Sequence, residues 1–248
     1  MPVFGSVEPN PFIRPNSVEP HLKPVEITLA DSTVATVFPL YSSDLIPLTL
    51  LAHMCDEFND EIERGQTYPI DNPLTIEQFK QYWCGDFTAI ALAGSIAEFE
   101  ELSAKAHPVN TTATSDLLQQ QLHETPEPSD VVKLIPAAAD WSKIFLGTFH
   151  VLPNYPDRCA HVCNAGFLIA SGSRGKRIGY ELGKVYLQWA PQLGYTYSVF
   201  NLVFETNTAS LKIWDSLGFE RIGKVKGAAR LKGFDEPVTA IIIGKDLV

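Results

Sequence analysis

The stretch Phe167-Leu168-Ile169-Ala170-Ser171-Gly172-Ser173-Arg174-Gly175-Lys176-Arg177-Ile178-Gly179-Tyr180 decides the fold. An apolar strand runs into a Gly/Ser/basic turn, and the turn opens directly into a helix with apolar Ile178, Leu182, Val185 and Trp189. Free backbone N–H groups at a helix start, together with the helix dipole, favour a bound phosphate. Gly172 and Gly175 let the backbone approach an anion, while Arg174, Lys176 and Arg177 add positive charge. The turn is not the phosphate loop of NTPases, because no Gly-Lys-Ser/Thr triplet follows the strand. Nor does it hold the Gly-x-Gly-x-x-Gly dinucleotide fingerprint. Taken alone, it also fits a basic cap on an ordinary helix.

Downstream comes Phe204-Glu-Thr-Asn207-Thr-Ala-Ser210-Leu-Lys-Ile-Trp214-Asp-Ser-Leu-Gly218-Phe219. A strand ends, Asn207 caps the next helix, and Gly218 stops that helix about three turns later. Working outward, strands are predicted at 144–152, 164–169, 197–205, 220–225 and 238–244, with helices at 175–189 and 208–217. Upstream, Val25–Ala30 and Val34–Phe38 read as a hairpin around Asp31-Ser32. Apolar residues recur at helical spacing from Asp44 to Arg64, and Gly65 follows as a stop. Thr75-x-x-Gln78 fits a capping box for a helix ending near Trp83, and Phe87–Ala93 has strand length. The expected fold class is therefore α+β, a mixed sheet with helices between its later strands.

Two segments stand apart. Residues 1–24 hold six prolines and no periodicity, so a poorly ordered arm is expected. Residues 97–140 are rich in Glu, Gln, Ser, Thr and Pro, and read as a polar surface insertion with a short helix at Asp116–His123. Residues 25–248 otherwise read as one domain.

Of the 248 residues 45% are hydrophobic, enough for a sizeable core. Net charge is −10, which argues against a general nucleic-acid binder. It is unevenly spread: residues 1–140 carry 6 Lys+Arg against 21 Asp+Glu, and residues 141–248 carry 13 against 8. A basic C-terminal part suits a compact anionic ligand. No apolar run has membrane-spanning length, and the N-terminus has no signal-peptide core, so no membrane association is expected. Four cysteines are too few for a disulfide scaffold. Cys159-Ala-His161-Val-Cys163 fits no common zinc spacing, so no metal is expected and a reducing compartment is.

The two quoted segments, in this order, resemble the GCN5-related N-acetyltransferases (GNAT superfamily) over residues 144–248. In that family an Arg/Gln-x-x-Gly-x-Gly/Ala turn receives the coenzyme A pyrophosphate, and an Asn-x-x-Ser/Ala helix ending in Gly-Phe borders the pantetheine. Two departures stand out: Arg177 replaces the usual first Gly, and Trp214 replaces the Tyr that protonates the departing thiolate in many relatives. Further segments resemble the fungal L-azetidine-2-carboxylate (proline-analogue) N-acetyltransferases. They are Asp31-Ser-Thr-Val-Ala-Thr-Val-Phe-Pro39, Gly65-Gln-Thr-Tyr-Pro69, the run from Asn154 to Phe167, Phe200-Asn-Leu-Val-Phe204 and Gly233-Phe-Asp-Glu-Pro237.

The resemblance implies a GNAT fold with a central mixed sheet of about seven or eight strands. It implies acetyl-CoA as co-substrate, and a small cyclic imino acid acetylated on its ring nitrogen, with a detoxifying or antioxidant role. It also implies a homodimer in the cytoplasm, with a mitochondrial pool compatible. On the same resemblance Phe167, Leu168, Ile169, Arg174, Gly175, Lys176, Arg177, Ile178, Gly179, Tyr180 and Asn207 line acetyl-CoA, with an oxyanion-binding amide near Phe167 or Leu168. Asn164 and the backbone of Asn201 and Leu202 hold the substrate carboxylate, a task that neutral donors can perform without an Arg clamp. A proton acceptor is still needed, since a secondary amine is mostly protonated at neutral pH. Glu205, His150, His161 and a water chain held by Asn207 are the candidates. Two other readings compete: an acetyltransferase for protein N-termini or lysines, and a catalytically weak coenzyme A-binding module.

Overall fold

The computed structural model describes residues 22–106 and 134–248. Eight strands form one sheet in the order β1-β2-β3-β4-β5-β6-β8-β7. They are β1 (Val25–Thr28), β2 (Val34–Leu40), β3 (Phe87–Ala93), β4 (Phe145–Pro153), β5 (Val162–Ile169), β6 (Tyr197–Phe204), β7 (Glu220–Ala229) and β8 (Val238–Asp246). All neighbours are antiparallel except β5 and β6. A parallel pair needs a crossover, and the helix over Ile178–Gln192 supplies it.

Helices cover both faces of the central strands, which explains why those strands read as almost continuous apolar runs. In β2 the alternation sends Ala35 and Val37 into one core and Phe38 and Leu40 into the other. The second core receives α1 (Leu48–Arg64), α2 (Ile76–Trp83), α3 (Ile96–Ala106) and the single turn α4 (Trp141–Ile144). The first receives α5 (Ile178–Gln192) and α6 (Thr208–Ser216).

Most boundaries fall where the sequence signals put them. Thr75 and Gln78 form both halves of the capping box. Two helices start later than their periodicity predicts. Pro47 stands at the N-cap of α1, so Ser43–Leu45 make only a 3₁₀ turn before it. At α5 the start is delayed to Ile178 because Arg177 has left-handed backbone angles, which no helix continues through. Within the segment read as a polar insertion, Ile96–Ala106 is helical and buries Phe99 against Phe38. The short helix predicted at 116–123 lies outside the described residues, as does the arm up to residue 21. Leu22, at the end of that arm, is buried and donates its N–H to the Tyr41 hydroxyl at 3.3 Å.

The feature that positions everything below is the junction of β5 and β6. These strands pair at only two places, Val162 with Tyr197 and Cys163 with Ser198, and then part. The last pair is pinned from α5, where the Tyr186 hydroxyl meets Cys163 Sγ at 3.1 Å and donates to Ser198 Oγ at 2.6 Å. Beyond it, β6 carries a bulge: its register against β8 slips by one residue between Phe200 and Val203, at Asn201-Leu202. A bulge bends its strand and leaves a residue unpaired, so β6 turns away and a gap opens beside β5.

Candidate active site

The gap exposes backbone that a closed sheet would consume. Ala170 N–H donates to Leu146 C=O and Asn154 N–H to Val162 C=O, so the even-numbered residues of β5 face β4. By alternation Ala165, Phe167 and Ile169 turn their amides and carbonyls into the gap. The Ala165 amide is taken by the Asn164 side chain at 2.8 Å. The Phe167 carbonyl accepts from the Tyr68 hydroxyl at 2.7 Å. Burial holds that phenol well above its ordinary pKa, so it remains a donor. The Phe167 amide has no facing strand to pair with. Of the two residues expected to offer an oxyanion donor, Phe167 points its N–H into the gap. Leu168, opposite Thr148, points its own at β4.

Where β5 ends lies the turn expected to bind an anion. Ser171–Ser173 form a 3₁₀ turn, Gly175 has φ +82°, and Arg177 has φ +62° just before α5. A Cβ at Gly172 or Gly175 would meet nothing within 4 Å, so the backbone there is open to a ligand. The amides of Ile178 and Gly179 precede the first intrahelical bonds, made by Tyr180 and Glu181 to the Arg177 carbonyl at 3.0 and 3.2 Å. Arg177 occupies a conformation that favours glycine. Its guanidinium lies 5.0 Å from the centre of the Tyr180 ring, with Lys184 at 5.7 Å from the same ring. Gly179 serves close packing: a Cβ there would come within 3.0 Å of Ile213 Cδ1 on α6.

The turn is braced by acids that sequence reading did not single out. Glu57 accepts from the Ser171 amide at 2.8 Å and its hydroxyl at 3.1 Å. One turn later Glu61, with only 8% of its side chain exposed, pairs with Arg174 at 2.9 Å and Arg64 at 2.8 Å. Its other oxygen accepts from Thr67 at 3.0 Å. The available signal was a polar Glu61 between Phe58 and Ile62 on the apolar face of α1. Lys176 approaches Asp31 of the β1–β2 turn at 4.0 Å. Arg174 and Lys176 are thus held in place while remaining 40% and 47% exposed.

On the α1/α2 face of the gap the polar residues are neutral. Asn164 projects here from β5. Asn154, just past β4, and Asn201, in the β6 bulge, exchange reciprocal carboxamide hydrogen bonds of 3.3 and 2.5 Å. That pair fixes the bulge and the backbone of Asn201 and Leu202. Segments 65–69 and 230–237 meet at one side: Lys232 donates its amide to Gly65 C=O at 3.0 Å and its ammonium to Glu63 C=O at 2.6 Å. Gln66 completes the contact through the Lys232 carbonyl at 3.3 Å.

Three residues singled out in the sequence already have hydrogen-bond partners. Asn207 caps α6, accepting from the Ser210 amide at 3.1 Å. Glu205 accepts from the Thr239 amide of β8 at 3.3 Å, which turns it to the side of β6 away from the gap. Buried Trp214 donates its indole N–H to Ser210 Oγ at 2.9 Å and packs against Phe167 and Phe200. Of the Cys-Ala-His-Val-Cys run, Cys163 is buried and Cys159 and His161 are exposed. No cluster able to hold a metal occurs among the described residues. Nor is any helix among them long and apolar enough to cross a membrane.

Comparison with known proteins bears on this geometry. The model of the Acetyltransferase (GNAT) family matches residues 96–219. The chain is 38% identical over 193 residues to N-acetyltransferase aca1 of Schizosaccharomyces pombe, covering 78% of each chain. It is 36% identical over 242 residues to Protein SPT10 of Saccharomyces cerevisiae, covering 94% of this chain but only 37% of that longer protein. Among solved structures it superposes on a GCN5-related N-acetyltransferase from Kribbella flavida with a TM-score of 0.58 at 23% identity, over 85% of this chain and 97% of that one. On yncA of Salmonella typhimurium, solved with its cofactor acetyl-CoA, the TM-score is 0.55 at 9% identity, over 86% and 94%. At these identities the structural likeness speaks for the fold.

Proposed function

The chain belongs to the Acetyltransferase (GNAT) family, and from that premise we propose that it moves the acetyl group of acetyl-CoA to the ring nitrogen of a small cyclic imino acid, of the L-azetidine-2-carboxylate and proline-analogue class. The turn from Ser171 to Gly179 fits the pyrophosphate: open backbone at Gly172 and Gly175, unpaired amides at Ile178 and Gly179, and the cations Arg174, Lys176 and Arg177. Acetyl-CoA supplies the activated acyl group. The thioester carbonyl belongs in the gap, where the Phe167 amide is positioned to donate to its oxygen as negative charge develops. Asn207 borders the same channel from the start of α6.

The acceptor then sits on the α1/α2 face. Its carboxylate is assigned to the free Nδ2 of Asn164, whose Oδ1 is already committed to Ala165, and to the backbone at Asn201-Leu202. The observation that carries this reading is the pairing of neutral carboxamides with a closed flank, where segment 65–69 meets 230–237. A small, carboxylate-bearing amine suits such a site better than an extended peptide. The physiological reaction removes a reactive imino acid, and the working unit is a homodimer.

Thiol release from acetyl-CoA, followed across azetidine-2-carboxylate, proline analogues, primary amino acids and N-terminal peptides, tests the assignment. Turnover confined to cyclic imino acids is expected. Turnover with peptides but not imino acids replaces the acceptor class, and coenzyme A binding with no turnover on any amine replaces the activity. Sedimentation at micromolar concentration tests the dimer.

A further inference from the structure

We propose that His150 is the proton acceptor of the transfer, its imidazole reaching from β4 across Gly166 to the edge of the β5–β6 gap. His150 stands directly opposite Gly166 in the β4–β5 register. A Cβ at Gly166 would lie 2.7 Å from His150 Nε2, so the ring occupies space that only a glycine leaves empty. Gly166 precedes Phe167, whose amide faces the gap, and follows Asn164 by two residues on the same face. The imidazole is therefore placed between the donor assigned to the thioester oxygen and the side chain assigned to the acceptor carboxylate.

The ring is enclosed by aromatic side chains. His150 is 7% exposed, and its Nδ1 is buried with no hydrogen-bond partner among the described residues. Trp83 lies 4.4 Å from the ring and Tyr82 6.0 Å, both from α2, and these walls fix its plane. Burial lowers its pKa to about 4, with the Trp83 backbone acting in the opposite direction. Neutral at physiological pH, the ring is in the accepting state, and once protonated it is acidic enough to release its proton to a thiolate (reference pKa about 8.5).

The other side chains considered are less well placed. Glu205 is bonded to Thr239 on the far side of β6, His161 is exposed at the turn before β5, and the Trp214 N–H is taken by Ser210. One relay then balances the reaction. The acceptor enters as the free amine, and its nitrogen lone pair forms the N–C bond to the thioester carbonyl carbon. The C–S bond breaks with its electron pair on sulfur. The proton lost by nitrogen passes to Nε2 and from there to the thiolate, leaving an N-acetyl product, free coenzyme A thiol and neutral His150.

The inference rests on the N-acetyltransferase reading but not on the acceptor being an imino acid, so the test uses whichever amine the wild-type protein acetylates. A wild type that prefers another amine overturns the acceptor class alone. His150→Gln keeps a polar group of similar reach without a comparable basic nitrogen. The expected result is a fall in kcat of about 10²-fold or more, with acetyl-CoA affinity by calorimetry unchanged. A folded variant losing less than about tenfold overturns the assignment. Should the variant fail to fold, wild-type protein decides. With coenzyme A bound, which cannot donate acetyl, adding the acceptor amine is expected to shift the His150 Nε2 resonance in ¹⁵N NMR, and an unmoved resonance overturns the assignment.

Discussion

The two sides of the β5–β6 gap are built in opposite ways. The side assigned to the cofactor comes from one continuous run, Phe167 to Tyr180, with Asn207 added from the next strand–helix turn. The side assigned to the acceptor is gathered from distant places: Tyr68 before α2, His150 and Asn154 along β4, Asn201 in the β6 bulge, and Lys232 between β7 and β8. One is open and lined by cations, the other enclosed and lined mainly by neutral polar groups. A local run can be specified by turn chemistry alone, whereas an assembled wall depends on every element that carries a piece of it. The cofactor side is not independent of that assembly, however, because Glu57 and Glu61 of α1 hold Ser171 and Arg174.

Arg174→Glu is the sharpest way to expose that dependence. It removes a cation from the turn assigned to the pyrophosphate and sets a second carboxylate against buried Glu61. Acetyl-CoA affinity is expected to fall about 10²-fold, in keeping with the loss of a charge-assisted contact and its reversal. Stripping one partner from a buried pair costs about 3–5 kcal/mol, but Arg174 is 40% exposed and Arg64 still contacts Glu61, so about 1–2 kcal/mol of stability is expected to be lost. Calorimetric affinity and denaturant midpoints measure the two separately. Loss of affinity with no loss of stability would mean that the brace from α1 is idle and the turn stands by itself.

Asn164→Ala probes the opposite side and should respect the division. Removing a carboxamide assigned to the acceptor carboxylate is expected to raise the acceptor KM about tenfold while leaving the acetyl-CoA KM within about twofold. The variant also strips the Ala165 amide of its 2.8 Å partner, so a modest drop in thermal midpoint accompanies it. Equal rises in both KM values would mean that the two sides share their binding energy.

The same division governs what the sequence reveals. The strand–turn–helix at 167–180 and the Asn-capped helix at 207–217 were legible because cap, glycine and charge lie within a few residues of one another. The capping box at Thr75 and the stop at Gly65 were legible for that reason too. The brace by Glu57 and Glu61 was not, since its partners lie more than a hundred residues away and no local pattern links them. Nor was the slip of β6 at Asn201-Leu202, because a bulge is a relation between two strands and leaves no periodicity in either. Glu205 was a reasonable base by its place two residues before Asn207, yet β8 claims its carboxylate. His150 carried no signal apart from being polar in an apolar strand, and only its register with Gly166 gives it an address.

Arg177→Gly carries the smallest effect and cuts most finely. A non-glycine residue in the left-handed region costs roughly 1–2 kcal/mol, and at Arg177 nothing local relieves it: the N-cap side chain makes no capping hydrogen bond. What Arg177 gains is the contact with Tyr180, about 0.5–1 kcal/mol at an exposed site. Glycine also has more freedom to lose on folding, which takes back up to about 1 kcal/mol. These contributions nearly cancel, so the apo protein is expected to be unchanged within about 1 kcal/mol. The charge has no such offset once pyrophosphate is bound, and acetyl-CoA affinity should fall about three- to tenfold. A strained arginine where glycine would serve is thus consistent with the anion assigned to this turn. If Arg177→Gly instead stabilises the apo protein by well over 1 kcal/mol and binds acetyl-CoA as tightly as before, the strain has no ligand to justify it, and the turn depends on its backbone alone.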